Sequence, residues 1–221
     1  MTVATSAAGA EAFKEFELTW VVYDPSDPFG AILALCTLSP VFIMVMYATL
    51  VVFQRDLDAI ALLVGQLLNE ALNQILKRSI KQSRPRGARI SGAGMPSAHS
   101  QFIAFFAAYV VAYTIKRFNA HRRLEKSLTI FSVVILAIVV CISRVRLGYH
   151  TLDQVLVGAA VGAASGFVWF LTVSQTSSWL FPWITETSIA QFFYVRDISH
   201  IPDLIVYQHE LCHRPSHPKS S

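Results

Sequence analysis

The segment Leu128–Val173, LTIFSVVILAIVVCISRVRLGYHTLDQVLVGAAVGAASGFVWFLTV, sets two apolar runs around a polar stretch, Ser143–Thr151, that holds two arginines and a histidine. A helix needs roughly 20 apolar residues to cross about 30 Å of hydrocarbon, and uncharged runs approaching that length belong in a bilayer. The segment therefore predicts two spanning helices joined at one membrane face by a short, cation-bearing turn.

The rest of the chain reads the same way. Its 221 residues are 54% hydrophobic and only 14% charged, and its mean hydropathy is +0.49. That balance excludes an ordinary soluble domain. Five windows qualify as spans: Phe29–Phe53, Ala59–Leu76, His99–Ile115, Leu128–Ile142 and Leu152–Val173. The expected fold is all-α, a polytopic membrane helix bundle of about five transmembrane helices with an interfacial carboxyl-terminal segment. The expected organisation is an extension over residues 1–28, one membrane-embedded domain over 29–173, and a tail over 174–221. Residues 1–28 lack a basic start, short apolar core and cleavage site, so no removable signal is expected. Trp179, Trp183, Phe192 and Tyr194 stand among polar residues beyond the last window, the pattern of an element lying in the interface. Cys36, Cys141 and Cys212 have neither metal spacing nor the density of a disulfide framework, and read as packing residues.

The second span is unusually polar. Asn69, Asn73 and Lys77 fall at i, i+4 and i+8, a stripe on one helix face. Interhelical hydrogen bonding and a functional role both account for it, because polar groups inside a membrane are costly and often functional.

Two spans separate residues 77–98 from 143–151, which puts both loops on the same face. Lys77, Arg84, Ser97, His99, Arg144 and His150 then meet, with Asp153 just inside the last span. Three cations, a hydroxyl and a helix amino terminus near Pro96–His99 make an anion site, most naturally for phosphate. Two histidines add what binding alone does not need, since one can be a nucleophile and the other a general acid. Arg78, Lys81, Arg86, Arg89 and Arg146 read instead as snorkelling anchors. His121 and His200 match no pattern and read as surface residues.

Three quoted stretches carry a family resemblance. KRSIKQSRP holds Lys77, six residues, then Arg84 and Pro85; PSAH is Pro96–His99; SRVRLGYH holds Arg144, five residues, then His150. In order and spacing they resemble the motifs of the type 2 phosphatidic acid phosphatase superfamily, which it shares with vanadium haloperoxidases. Their contexts further resemble its dolichyl diphosphate phosphatase branch. The resemblance implies that Lys77, Arg84 and Arg144 bind phosphate, that Ser97 donates a hydrogen bond to it, and that His99 protonates the leaving oxygen. It implies that His150 attacks phosphorus to form a phosphohistidine, with no metal and no cofactor. The implied reaction takes dolichyl (polyprenyl) diphosphate to dolichyl phosphate, recycling the lipid carrier of protein N-glycosylation in the endoplasmic reticulum membrane. Membrane lipids surround such an enzyme, and no nucleic-acid partner is expected. A phosphatidate-type lipid phosphatase and a non-catalytic anionic-lipid binder are the alternatives on the same fold.

The family pattern places Asp four residues after the nucleophile, whereas this chain has Gln154 there and Asp153 at three. Both positions share a helix face with His150. Asp153 is the expected partner of the ring, because a carboxylate better stabilises a developing imidazolium; the Gln154 carbonyl is the alternative. A competing motif, HELCH at His209–His213, matches the H-E-x-x-H zinc pattern of a metalloprotease through His209, Glu210 and His213. Only eight residues follow it and none is Asp or Glu, so the usual third ligand is missing and the match is set aside. The 18 Lys and Arg divide evenly between the two faces, so charge alone does not orient the bundle. The cations assigned to substrate and the strongly basic 116–126 segment favour a non-cytoplasmic active site and a cytoplasmic carboxyl terminus.

Overall fold

The computed structural model describes residues 21, 23, 26–86, 88, 92–117, 122–201 and 203–213; His121 and Arg89 lie outside them. Among the described residues eight helices follow in order: α1 (Gly30–Thr37), α2 (Ser39–Phe53), α3 (Leu57–Ile80), α4 (Ala98–Arg117), α5 (Arg123–Arg146), α6 (Leu152–Thr185), α7 (Ser188–Phe192) and α8 (Leu204–His213). Among these residues five spans are long and apolar enough to cross a membrane, α1 and α2 together making the first. The chain is a multi-pass membrane protein. Exposed Phe42, Leu68, Phe131, Ile138, Leu156 and Val168 form its lipid-facing surface.

The first span is broken at Leu38, whose N–H turns back to the Leu35 carbonyl. Pro40 enters just inside α2 and has no N–H to continue an uninterrupted ladder. α3 is started by Asp56, whose carboxylate accepts from the Asp58 N–H at 2.7 Å. Lys81, in the left-handed region at φ 51°, caps its other end.

α4 is the central helix, buried continuously from Ser100 to Ala107 and again at Tyr109 and Thr114. It lies so close to α6 that a Cβ on Gly158 would stand 2.7 Å from the Ser97 carbonyl oxygen. That contact draws the start of α4 against the start of α6. Gln66, Asn69 and Asn73 of α3 are buried, which keeps this polar face of the helix away from lipid.

α6 does not stop at Val173. It runs 34 residues to Thr185 with Pro182 inside it, because Phe181 packs with Leu57 and Val173 in a cluster that draws the helix onward. Trp179 and Trp183 in its last turns, and Phe192 and Tyr194 beyond it, are exposed. The segment after α7 is strapped to the end of the bundle opposite the motifs: Arg196 donates to the Gln54 carbonyl, and Arg117 to the carbonyls of Ile198 and Ser199.

Candidate active site

The turn after α5 brings Arg144 and His150 together by local geometry. Gly148 adopts φ +74°, a value that penalises any side chain. The Tyr149 and His150 N–H groups both then donate to the Arg144 carbonyl at 3.1 Å. The five-residue spacing is thus the length of one helix-ending turn. Tyr149, 2% exposed, presents its ring 4.2 Å from the Arg144 guanidinium. Arg84 reaches across from the α3–α4 connection and donates through Nη1 to the Tyr149 carbonyl at 3.5 Å. Lys77 projects from the last turn of α3, and His99 from the first turn of α4. Lys77, Arg84, Arg144 and His150 all act electrostatically on His99, so the three motifs share one centre. Ser97 is fully buried there and its Oγ accepts from Ser100 Oγ at 3.1 Å. The first N–H groups of α4, with no acceptors of their own in the helix, add the positive end of its dipole.

The expectation for Asp153 is overturned. Asp153 is exposed, whereas Gln154 is 0% exposed and sets Oε1 at 3.1 Å from His150 Nδ1. Long-range contacts decide between the two. Gln154 Nε2 donates to the Ser83 carbonyl at 2.8 Å and faces Gln82 Oε1 at 3.4 Å, while the Gln154 carbonyl accepts from Ser97 N–H at 3.0 Å. Gln154 is therefore the joint between all three motif segments. Its amide group can point only one way, nitrogen to Ser83 and oxygen to His150. Nδ1 of His150 must then carry the ring hydrogen, which leaves Nε2 with the free lone pair. Thr151 and Gln154 also form a reciprocal capping box at the start of α6, a T-x-x-Q pattern readable in the sequence.

His150 is 4% exposed. Burial, and then Arg84, Arg144 and Lys77, push its pKa down to about 3, against a smaller opposing effect of the Gln154 hydrogen bond. It is a neutral imidazole at any moderate pH. Arg144 is as deeply buried, at 4% exposure, and its Nε has no hydrogen-bond partner. No carboxylate pairs with it among the described residues. A buried, uncompensated guanidinium is expensive, and an anion bound beside it would supply the missing charge.

Contrast the opposite end of the bundle, where a cavity of about 580 Å³ also contains cations. There Lys116 donates to Ser174 Oγ at 2.8 Å and Arg117 lies 3.8 Å from Asp58, so those charges are already partnered. On the motif side, His99 opens onto a mostly apolar groove of about 660 Å³ between α2, α3 and α4, lined among others by Pro40, Met44, Ala48 and Leu67. Arg146, read as an anchor, instead pairs with Asp27 at 2.9 Å. His209, Glu210 and His213 are exposed on α8, where His213 Nδ1 lies 2.8 Å from the His209 carbonyl. No third His, Cys, Asp or Glu joins them among the described residues.

Residues 58–178, which contain every residue of this centre, match the profile of the PAP2 superfamily. The chain belongs to that superfamily. It is 38% identical over 198 residues to Dolichyldiphosphatase 1 of Dictyostelium discoideum, covering 87% of this chain and 86% of that protein. It is 35% identical over 208 residues to Dolichyldiphosphatase 1 of Homo sapiens, covering 90% and 87%. Among solved structures, the transmembrane PAP2 type phosphatidylglycerolphosphate phosphatase from Bacillus subtilis shares the fold, with a TM-score of 0.54 at 21% identity over 67% of this chain and 76% of that one. Within this PAP2 centre motif spacing misses Tyr149, which faces the arginine, and residue chemistry places Gln154, which holds the histidine, second to Asp153. Only the second leaves a signal, its i+4 offset and the capping box.

Proposed function

We propose that this PAP2 protein hydrolyses a polyprenyl diphosphate, dolichyl diphosphate, to dolichyl phosphate and phosphate through a phosphohistidine at His150. The buried Arg144 guanidinium, uncompensated by a carboxylate and set beside two histidines, carries the chemistry. The similarity to proteins named dolichyldiphosphatase supports the choice of lipid.

In this reading the terminal phosphoryl group sits among Lys77, Arg84, Arg144 and Ser97. Their charges neutralise its equatorial oxygens, the task metal ions perform in other phosphoryl transfers. His150 Nε2, neutral and with a free lone pair, attacks phosphorus, and the positive charge that develops on the ring is met at Nδ1–H by Gln154. The lipid monophosphate departs on the opposite side, where His99 protonates the bridging oxygen. His99 then takes a proton from water as that water attacks phosphorus and the P–N bond breaks. The hydrocarbon of the leaving group follows the groove onto which His99 opens. We further propose an endoplasmic reticulum location, with the active site lumenal and the carboxyl terminus cytoplasmic; Lys116, Arg117, Arg122, Arg123 and Lys126 at the far ends of α4 and α5 support that orientation.

The test is phosphate release by the purified protein in detergent from a polyprenyl diphosphate, with and without EDTA. Turnover that survives EDTA and is abolished in His150→Ala is expected. Release from neither a polyprenyl diphosphate nor a phosphatidate would refute the reading, and release from phosphatidate alone would replace the substrate. A glycosylation acceptor inserted near residue 10 should be modified in microsomes; modification at the tail instead would reverse the orientation.

A further inference from the structure

Asn73 lies one helical turn before Lys77 on the same face of α3 and is 1% exposed. Its Nδ2 donates to Gln101 Oε1 at 2.7 Å and stands 3.5 Å from the carbonyl of Pro96, at the start of the segment that carries Ser97 and His99. Gln101 is fixed in turn, because its Nε2 donates to the backbone carbonyl and Oδ1 of Asn69, both at 3.0 Å. Asn69 Oδ1 also accepts from the Ser165 hydroxyl at 2.9 Å. Each amide in this ladder is oriented by the next, so neither Asn73 nor Gln101 can turn over without setting donor against donor. The ladder ends on Asn73 Oδ1, which is buried and has no hydrogen-bond partner.

An unsatisfied buried acceptor costs about 1–3 kcal/mol, and this one belongs to a side chain that borders the Pro96–Ser97 segment of the proposed phosphoryl-transfer centre. The oxygens of an ionised phosphate are acceptors and cannot complete it. Water can. We propose that Asn73 Oδ1 orients the water that hydrolyses the phosphohistidine, an inference that rests on the two-step reaction above. As the water oxygen bonds to phosphorus, one of its protons passes to the neutral ring of His99. The P–N electron pair returns to His150 Nε2. The second hydrogen stays on the oxygen, becomes the hydroxyl of the phosphate product, and is the one Asn73 accepts. With both hydrogens directed, a water lone pair faces phosphorus.

The two half-reactions are separated with the full-length protein in detergent and a polyprenyl diphosphate labelled in its terminal phosphate. In Asn73→Leu the first-turnover burst of lipid monophosphate should stay within about threefold of the parent. kcat should fall about 5- to 150-fold, the equivalent of the orphaned bond, while base-stable phosphoenzyme rises from a trace to most of the protein. Asn73→Asp keeps an acceptor oxygen but loses the donor to Gln101 Oε1, so it should restore hydrolysis only in part. Asn69→Ala, which breaks the far end of the ladder, should lower the unfolding temperature without accumulating phosphoenzyme. Burst and kcat falling together, or equal accumulation in Asn69→Ala, would overturn the proposal. If Asn73→Leu does not fold, the partition between water and methanol in Asn73→Ser decides. Methanol has a single O–H, which goes to His99, so a water-specific acceptor favours water in the parent. A higher methyl phosphate to phosphate ratio in the variant supports the role, and an unchanged ratio refutes it. A parent that forms no phosphohistidine at all would instead refute the two-step reaction itself.

Discussion

Replacing Gln154 by Glu should make the enzyme sensitive to acid in a range where the parent is not. His150 is pushed down to about 3 by burial and three cations, so between pH 5 and 8 its ring is neutral and its protonation contributes no acid limb. A carboxylate in place of the amide would stand where Oε1 now lies, 3.1 Å from Nδ1. An opposite charge that close favours the imidazolium and raises a histidine by about 1–3 units. The proposed nucleophile is then lost on going to lower pH, and the acid limb of kcat/KM moves upward by the same interval. kcat/KM is the quantity to follow because it reports the free enzyme, before the charge of a bound phosphate alters the balance. Gln154→Leu, of similar volume, separates charge from position. It removes the acceptor at His150 and leaves the Ser83 carbonyl without the donor now 2.8 Å away. Losing a hydrogen bond to a developing charge costs about 1–3 kcal/mol, or about 5- to 150-fold in kcat, with no movement of the acid limb. Superimposable pH profiles for the parent and Gln154→Glu would refute the assignment of Gln154 as the partner of His150.

His99→Ala should slow hydrolysis of a polyprenyl diphosphate much less than that of a polyprenyl monophosphate of the same chain length. General acid catalysis is worth about 100- to 10,000-fold and matters most for a basic leaving group, and an alkoxide is far more basic than a phosphate monoester; equal rate ratios on the two lipids would remove His99 from that role. Gly158→Ala should destabilise the bundle and lower activity together, because the new methyl would stand 2.7 Å from the Ser97 carbonyl oxygen. Overpacking of this kind costs about 1–3 kcal/mol, and a variant with parental unfolding temperature and kcat in detergent would mean that α4 and α6 yield there without consequence.

The spans were legible because hydropathy over a window depends on residues that are neighbours in sequence. The features that depend on distant partners were not. The run from Phe29 to Phe53 reads as one helix, and only the turn at Leu38 ahead of Pro40 divides it. The polar residues after Val173 read as the end of a helix, yet α6 continues because Phe181 finds Leu57 on another span. The strap from Arg196 to Gln54 joins residues 142 positions apart and leaves no local signal.

The site divides along the same line. Arg144 and His150 are tied by one turn that Gly148 permits, so their spacing is itself the geometry. Whether position 153 or 154 meets His150 is a rotation of about 100° around α6, and residue chemistry favoured the carboxylate. The choice is made by Ser83 and Gln82, which reach Gln154 from the loop after α3. The outcome has a chemical sense. A carboxylate partner would make His150 both oriented and more basic, whereas the amide orients it and leaves it neutral among three cations. For the proposed cleavage of an anhydride, whose leaving group departs as a weakly basic lipid monophosphate, a fixed and always available nucleophile matters more than a strongly basic one.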